Sequence, residues 1–194
     1  LYMIYVGKYS APDYEALLME ECSLAIESTM IYHTPEVKEK IESLGIPVMV
    51  EHSSYESHPI GRTEWIRLYG LLFDREDEAE SFFNEQKEIA EDVISESADA
   101  QDTKTVAFFY ITSAGLANVR KSGDYVAEMI RLAGGSYVPE RPGMESENAL
   151  STMNMQMEDF YAQAVDADII IYNSTIGGEI SSVDELLAKN PLFA

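Results

Sequence analysis

Three histidines, one cysteine, twelve tyrosines and the arginines Arg62 and Arg120 are the side chains of this 194-residue chain with the most chemistry to offer. His33, His52 and His58 all precede residue 59. A bare metal ion held between two halves of a protein draws strong nitrogen ligands from both, so this one-sided distribution disfavours a directly coordinated zinc or manganese ion. Cys22 has no second cysteine to pair with, cannot build a thiolate metal site, and sits in an apolar run where a buried structural thiol is expected. Arg62 and Arg120 stand out because cations are scarce, and a guanidinium can grip a carboxylate, catecholate or phosphate with two hydrogen bonds. Arg120, followed by Lys121 and Ser122, reads as a ligand contact, whereas Arg62 can equally pin the turn before a long helix. Tyrosine rings suit a macrocycle and tyrosine hydroxyls a chelated metal, although tyrosine scattered through strands is mostly core, and Trp65 reads as packing. The sequence has no glycine-rich dinucleotide turn, phosphate loop, nucleophile elbow or zinc-protease helix. No catalytic residue, resident metal or cofactor is therefore assigned.

The elements that must position these residues follow an α/β grammar. Up to about residue 70, short apolar runs at 3–6, 23–26 and 47–50 alternate with helical patterns, which favours strand–helix–strand units and a parallel sheet. Thr34 and Pro35 predict a helix start, Val37, Ile41 and Leu44 share one face, and Gly45 closes it. A short helix opened by Pro12 and capped by Ser10 or Ala11 is expected just before, with Leu17 and Leu18 inward and Glu15 and Glu20 wet. From 105 onward the grammar repeats: strand 105–111, helix 122–133 ended by Gly134 and Gly135, helix 153–164, strand 168–172. Between the two regions, Ala79, Phe82, Phe83, Ala90, Val93 and Ile94 fall on one stripe of an amphipathic helix over 76–97. The organisation expected is a part-lobe at 1–72, a spine helix at 73–102 and a second part-lobe at 103–194. In parallel α/β lobes ligands meet the loops at the carboxyl ends of strands. That rule places Met30, Tyr32, His33, His52, Ser54, Tyr55, Ser113 and Asn173 in a ligand-binding cleft, joined by Arg62 and Arg120. His33, one residue before Thr34, is equally explained by capping geometry.

Lys and Arg number 13 against 35 Asp and Glu, a formal charge of −22 that repels phosphate backbones and anionic lipid surfaces, so nucleic acid is not expected as a partner. No run reaches the roughly 20 apolar residues of a membrane span, and the opening LYMIYV lacks the basic region and cleavage site of a signal peptide.

Several blocks, in order, resemble the iron-siderophore, heme and cobalamin solute-binding proteins of ABC importers. APDYEALL at 11–18 followed by LAIE at 24–27 is similar to the family's P-N-L-E-x-I…P-D-L-V-I block. EVKEKIESLGIPVMV at 36–50 is similar to its helix and strand around L-G-I-P-V. ESHPIGRTEWI at 56–66 resembles a form common in anaerobic Gram-positive bacteria that leads into the spine helix. SGDYV at 122–126, LAGG at 132–135, MEDFY at 157–161 and ADIII at 167–171 resemble the second-lobe order. Cys22 and Ser23 replace the usual P-D, Ala167 replaces the second proline, and the 158–168 stretch is about two residues longer than the common form.

The resemblance implies two Rossmann-like parallel-sheet lobes joined by one long helix, with both ends truncated relative to family members. It further implies an extracytoplasmic carrier without catalytic activity, a lipoprotein of a Gram-positive cell surface or a periplasmic protein. Its cargo would be a chelated metal (ferric siderophore, heme or corrinoid), delivered to the transmembrane subunits of an ABC permease. Glu15 and Glu158 would be the docking carboxylates, one per lobe. The alternatives are a two-domain metal-handling or chelatase-like enzyme and a sensor domain built on the same fold.

Overall fold

The structure, a computed structural model, describes residues 3–98, 102–140, 152–190 and 192. The chain divides into two compact units, Leu1–Ser54 and Tyr55–Ala194, and helix 59–72 falls in the second.

In the first unit, β1 (Gly7–Lys8) pairs antiparallel with β2 (Ala11–Pro12), and α1 (Tyr14–Met19) follows. The run at 3–6 expected as a strand is irregular, with Met3 and Tyr5 open to solvent; no strand among the described residues pairs with it. The cap of α1 is Asp13 rather than Ser10 or Ala11, because its carboxylate accepts from Ala16 N at 3.0 Å. Leu17 is buried as expected, but Leu18 is 49% exposed, since a six-residue helix has only one narrow inner stripe. β3 (Ala25–Ser28) lies parallel to β4 (Val48–Glu51), two residues and one residue beyond the expected starts. Between them come a 3₁₀ turn (Thr29–His33) and α2 (Pro35–Ser43). Gly45 does close α2, with φ +84°, a conformation glycine adopts at no steric cost. Thr34 occupies the cap position, but its hydroxyl makes no capping bond and is buried without a partner. Leu17, Ile31, Val37, Ile41 and Ile46 form the core of this unit.

The second unit opens with a helical hairpin: α3 (Pro59–Leu72), started by His58 and Pro59, and α4 (Glu76–Ala98), whose first turn carries Glu76, Asp77 and Glu78 against the helix dipole. The expected 76–97 helix is thus a single continuous element. Its stripe is only partly covered: Ala79 and Phe83 are buried, Phe82 and Val93 exposed.

The sheet of this unit is mixed. β5 (Thr105–Ile111) pairs parallel with β7 (Ser136–Val138) and β9 (Ile169–Tyr172). Beyond the parallel frame, β6 (Ala117–Arg120) pairs antiparallel with β5, and β8 (Thr152–Met155) antiparallel with β6. β8 corrects the expected helix at 153–164, which begins only at Met157 (α6, Met157–Ala164). Strand pairing decides the conformation there: Asn118, buried in β6, donates from Nδ2 to Asn154 Oδ1 at 2.7 Å, and Met155 enters the core. The helix expected at 122–133 is α5 (Tyr125–Leu132), capped by the buried carboxylate of Asp124, which accepts from Val126 N at 3.0 Å. Two short helices, α7 (Ser174–Gly177) and α8 (Val183–Lys189), follow β9. Phe109 on β5 centres the core, 4.4 Å from the Phe160 ring of α6 and edge-on to Tyr172 of β9.

Candidate functional site

In the first unit the parallel pairing of β3 and β4 sends both strands' carboxyl ends to the same side. After β3 the 3₁₀ turn, capped by Ser28 accepting from Met30 N, buries only Ile31. Met30, Tyr32 and His33 are consequently turned outward, Tyr32 with 54% of its surface exposed. After β4, Glu51 Oε1 accepts from Ser53 N at 2.6 Å and tightens the chain into the single turn Ser53–Tyr55. His52 is thereby aimed across at the first loop: the Tyr32 hydroxyl and His52 Nε2 lie 3.1 Å apart, with their rings tilted at 54°. A phenol oxygen and an imidazole nitrogen held this close offer an oxygen and a nitrogen donor side by side. Ser54 and Tyr55 are exposed on the same loop. His58 is the cap of α3, its Nδ1 accepting from Ile60 N at 3.2 Å. Among the described residues no three His, Cys, Asp or Glu side chains converge as a metal site.

The second unit gathers the arginines. Arg62 lies inside α3 rather than in a turn, because Pro59 starts the helix three residues earlier. Its Nε donates to the Glu56 carbonyl at 3.0 Å, which fixes the 56–58 approach to the helix, and the Trp65 indole donates to the Glu56 carboxylate at 3.3 Å. Its guanidinium lies 3.8 Å from the centre of the Tyr125 ring. Arg120, at the end of β6, is held on several sides: its carbonyl accepts from the Tyr137 hydroxyl at 2.8 Å, and its guanidinium is 3.5 Å from the buried Asp124 carboxylate. It lies 5.7 Å from the same Tyr125 ring and 5.8 Å from Phe108. Burial pushes the Tyr137 phenol well above its ordinary value, so that hydroxyl stays a donor across the physiological range. Tyr125 thus joins two guanidiniums by cation–π contact. It was not among the residues expected in the site, although it falls in the SGDYV block at 122–126 where a helix start was expected.

Ser113 sits in the β5–β6 hairpin turn, where Gly115 takes φ +77° and Thr112 Oγ1 accepts from Leu116 N. Asn173 follows β9, but its side-chain oxygen caps α7 by accepting from Thr175 N at 3.2 Å. Glu15 and Glu158 are exposed, each in the first turn of a helix, α1 and α6. No helix among the described residues is long and apolar enough to cross a membrane.

No protein-family model matches the chain. An uncharacterized lipoprotein of Methanocaldococcus jannaschii is 25% identical over 179 residues, covering 89% of this chain and 40% of the relative. The chain therefore spans about two fifths of that relative's length. Among solved structures, the periplasmic heme-binding protein HutB of Vibrio cholerae superposes with a TM-score of 0.75 at 21% identity, over 97% of this chain and 68% of that one. An ABC transporter substrate-binding protein of Listeria monocytogenes superposes with a TM-score of 0.64 at 18% identity, over 97% and 68%. The chain has the α/β fold of the periplasmic solute-binding proteins.

Proposed function

We propose that this chain is part of the extracytoplasmic binding component of an ABC importer, a carrier without catalytic activity whose cargo is an organic chelate of a metal. The observation that carries the reading is the pairing of this fold with the Tyr32–His52 contact at the carboxyl ends of β3 and β4. A phenol oxygen beside an imidazole, with Met30 and His33 exposed on the same turn as Tyr32, suits an iron complex with a free or exchangeable position. The structural neighbours bind heme or are substrate-binding proteins of ABC transporters, and a relative is a lipoprotein, all consistent with work outside the cytoplasm. Within the second unit, Arg62 and Arg120 share the Tyr125 ring, a cationic grouping that suits acidic groups of a ligand. Glu15 and Glu158 are the carboxylates that meet basic residues of the permease.

The test is a thermal-shift screen of the full-length protein against hemin, ferric siderophores, cobalamin, and free Zn²⁺ and Mn²⁺. A true cargo at 100 times its dissociation constant adds about 2.7 kcal/mol of stability. The expected outcome is a shift with at least one chelate and none with the bare ions. Tight binding of a bare ion with indifference to every chelate overturns the reading.

A further inference from the structure

Where α5 packs against the α3–α4 hairpin, an open groove of about 340 Å³ remains between the three helices, lined by Pro59, Ile60, Ile89, Val93, Met129 and Leu132 among others. Of its lining side chains only Thr63 and Gln86 are polar. Ile89, Val93 and Met129 each expose between 43% and 53% of their surface, so packing within the unit leaves this face uncovered. Phe82, also exposed, extends it. Phe82, Ile89 and Val93 stand at i, i+7 and i+11 on α4, a single row about 16 Å long. A contiguous apolar surface of this kind marks an interaction site.

Carboxylates edge the row on one flank. Glu85 lies three residues after Phe82 and four before Ile89, Asp92 three after Ile89, and Glu96 three after Val93, which sets all three beside the row on the helix surface. They are exposed, and none has an ion-pair partner among the described residues. The opposite flank is compensated, since Lys87 pairs with Glu91 at 3.6 Å. Three unneutralised carboxylates along one edge repel each other and favour cations brought by a partner.

The groove is built from helices alone, whose backbone groups bond within each helix, so it offers no strand edge to an extended peptide. A partner helix, with its own backbone satisfied, docks by side chains only. The acidic flank repels an anionic lipid surface, and a net charge of −22 opposes a second copy of this chain.

We propose that the α3–α4–α5 groove is a docking surface for a basic amphipathic helix of a partner protein. Its apolar stripe seats on Ile89, Val93 and Met129, and its lysines or arginines lie beside Glu85, Asp92 and Glu96. This contact goes beyond the carrier reading and involves neither the cargo nor the Glu15 and Glu158 carboxylates.

The experiment titrates the full-length protein with two synthetic helical peptides of about 18 residues, long enough at ~1.5 Å per residue to cover the row. Both carry leucine at i, i+3, i+4 and i+7, and the remaining positions are lysine in one and glutamate in the other. The native protein is expected to bind the lysine peptide about tenfold tighter or more at low salt, with the difference shrinking as salt rises. Ile89→Ser with Met129→Ser should weaken the lysine peptide about tenfold or more, as losing central apolar anchors does. Glu85→Gln, Asp92→Asn and Glu96→Gln together should remove most of the preference for lysine, and a melting curve shows that each variant is folded. In cells, a photo-crosslinking amino acid in place of Ile89 should join the protein to a segment whose sequence, read by mass spectrometry, is basic and amphipathic. The proposal is overturned if the lysine peptide fails to bind, or binds both sets of variants as tightly as the native protein. It is equally overturned if the photo-crosslink forms only with the protein's own chain, a second copy or lipid.

Discussion

Tyr32 and His52 are twenty residues apart in sequence, and each was expected in a binding site for its position after a strand. Their contact was not legible, because it depends on the register that sets Ser28 opposite Glu51 and on how tightly Glu51 pulls in Ser53. The same holds for Arg62 and Arg120. Their type and scarcity marked them, but the ring of Tyr125 that they share comes from α5, whose start the sequence placed three residues too early. Glu27 shows a residue-scale cost of building in this acidic chain. It lies on β3, half-buried opposite Val50, and burial pushes its carboxyl above the usual range. A carboxyl with a raised folded-state pKa contributes stability below its unfolded pKa and loses it as pH rises through the folded value, so ionised Glu27 destabilises the native state at neutral pH. Glu27→Gln is therefore expected to raise the melting temperature at about pH 7 and to leave it unchanged near about pH 3.5, where both states are neutral. A melting curve at each pH checks this; an equal gain at both would show that the effect is not ionisation.

Between elements, the α3–α4 hairpin depends on close approach rather than on charge. Gly70 faces Ala79 so tightly that an added Cβ would lie 2.5 Å from the alanine's Cβ and 3.0 Å from the Arg75 carbonyl oxygen. Gly70→Ala should cost about 1–3 kcal/mol through this overlap, more than the ~1 kcal/mol that alanine gains in helix propensity. The measurement is chemical denaturation, and a stabilised variant would mean that the helices can slide apart freely. Arg67 bridges the pair more visibly, donating to both oxygens of Glu80 at 2.6 and 2.7 Å and lying 4.1 Å from the Phe83 ring. It is an exposed pair, and such bridges contribute little. Sequence periodicity located α4 because its apolar stripe is long. It did not resolve α3 as a separate helix, since Ile60, Trp65, Ile66 and Leu68 make no clean stripe, and only Asp74 at φ +56° marks the break.

At the scale of the molecule, the docking proposal makes Glu15 and Glu158 surface residues whose loss affects delivery alone. Both are exposed in first turns, where the helix dipole favours a carboxylate whether or not a partner exists. The double reversal Glu15→Lys, Glu158→Lys in the full-length protein is expected to leave chelate affinity and melting temperature nearly unchanged, because exposed charges contribute about 0–1 kcal/mol. Uptake in cells should collapse, since a like-charge pair at an interface costs several kcal/mol. Normal uptake by the double variant would return both residues to ordinary solvated surface.

The sequence by itself determined what local pattern controls: the alternation of strands and helices, β5 at 105–111, the long α4 and the glycine that ends α2. These depend on side-chain periodicity and on backbone freedom at single positions, both written along the chain. Only the tertiary structure decided that 152–155 is a strand, because an isolated Met-Asn-Met run has no preference until β6 offers it an edge and Asn118 a partner for Asn154. It decided likewise that Lys189, 77 residues from Thr112 and 76 from Ser113 and not among the residues expected in any site, lines one cavity with them. Long-range pairing brings such groups together through strand register and helix docking, and no spacing rule along the chain encodes those distances.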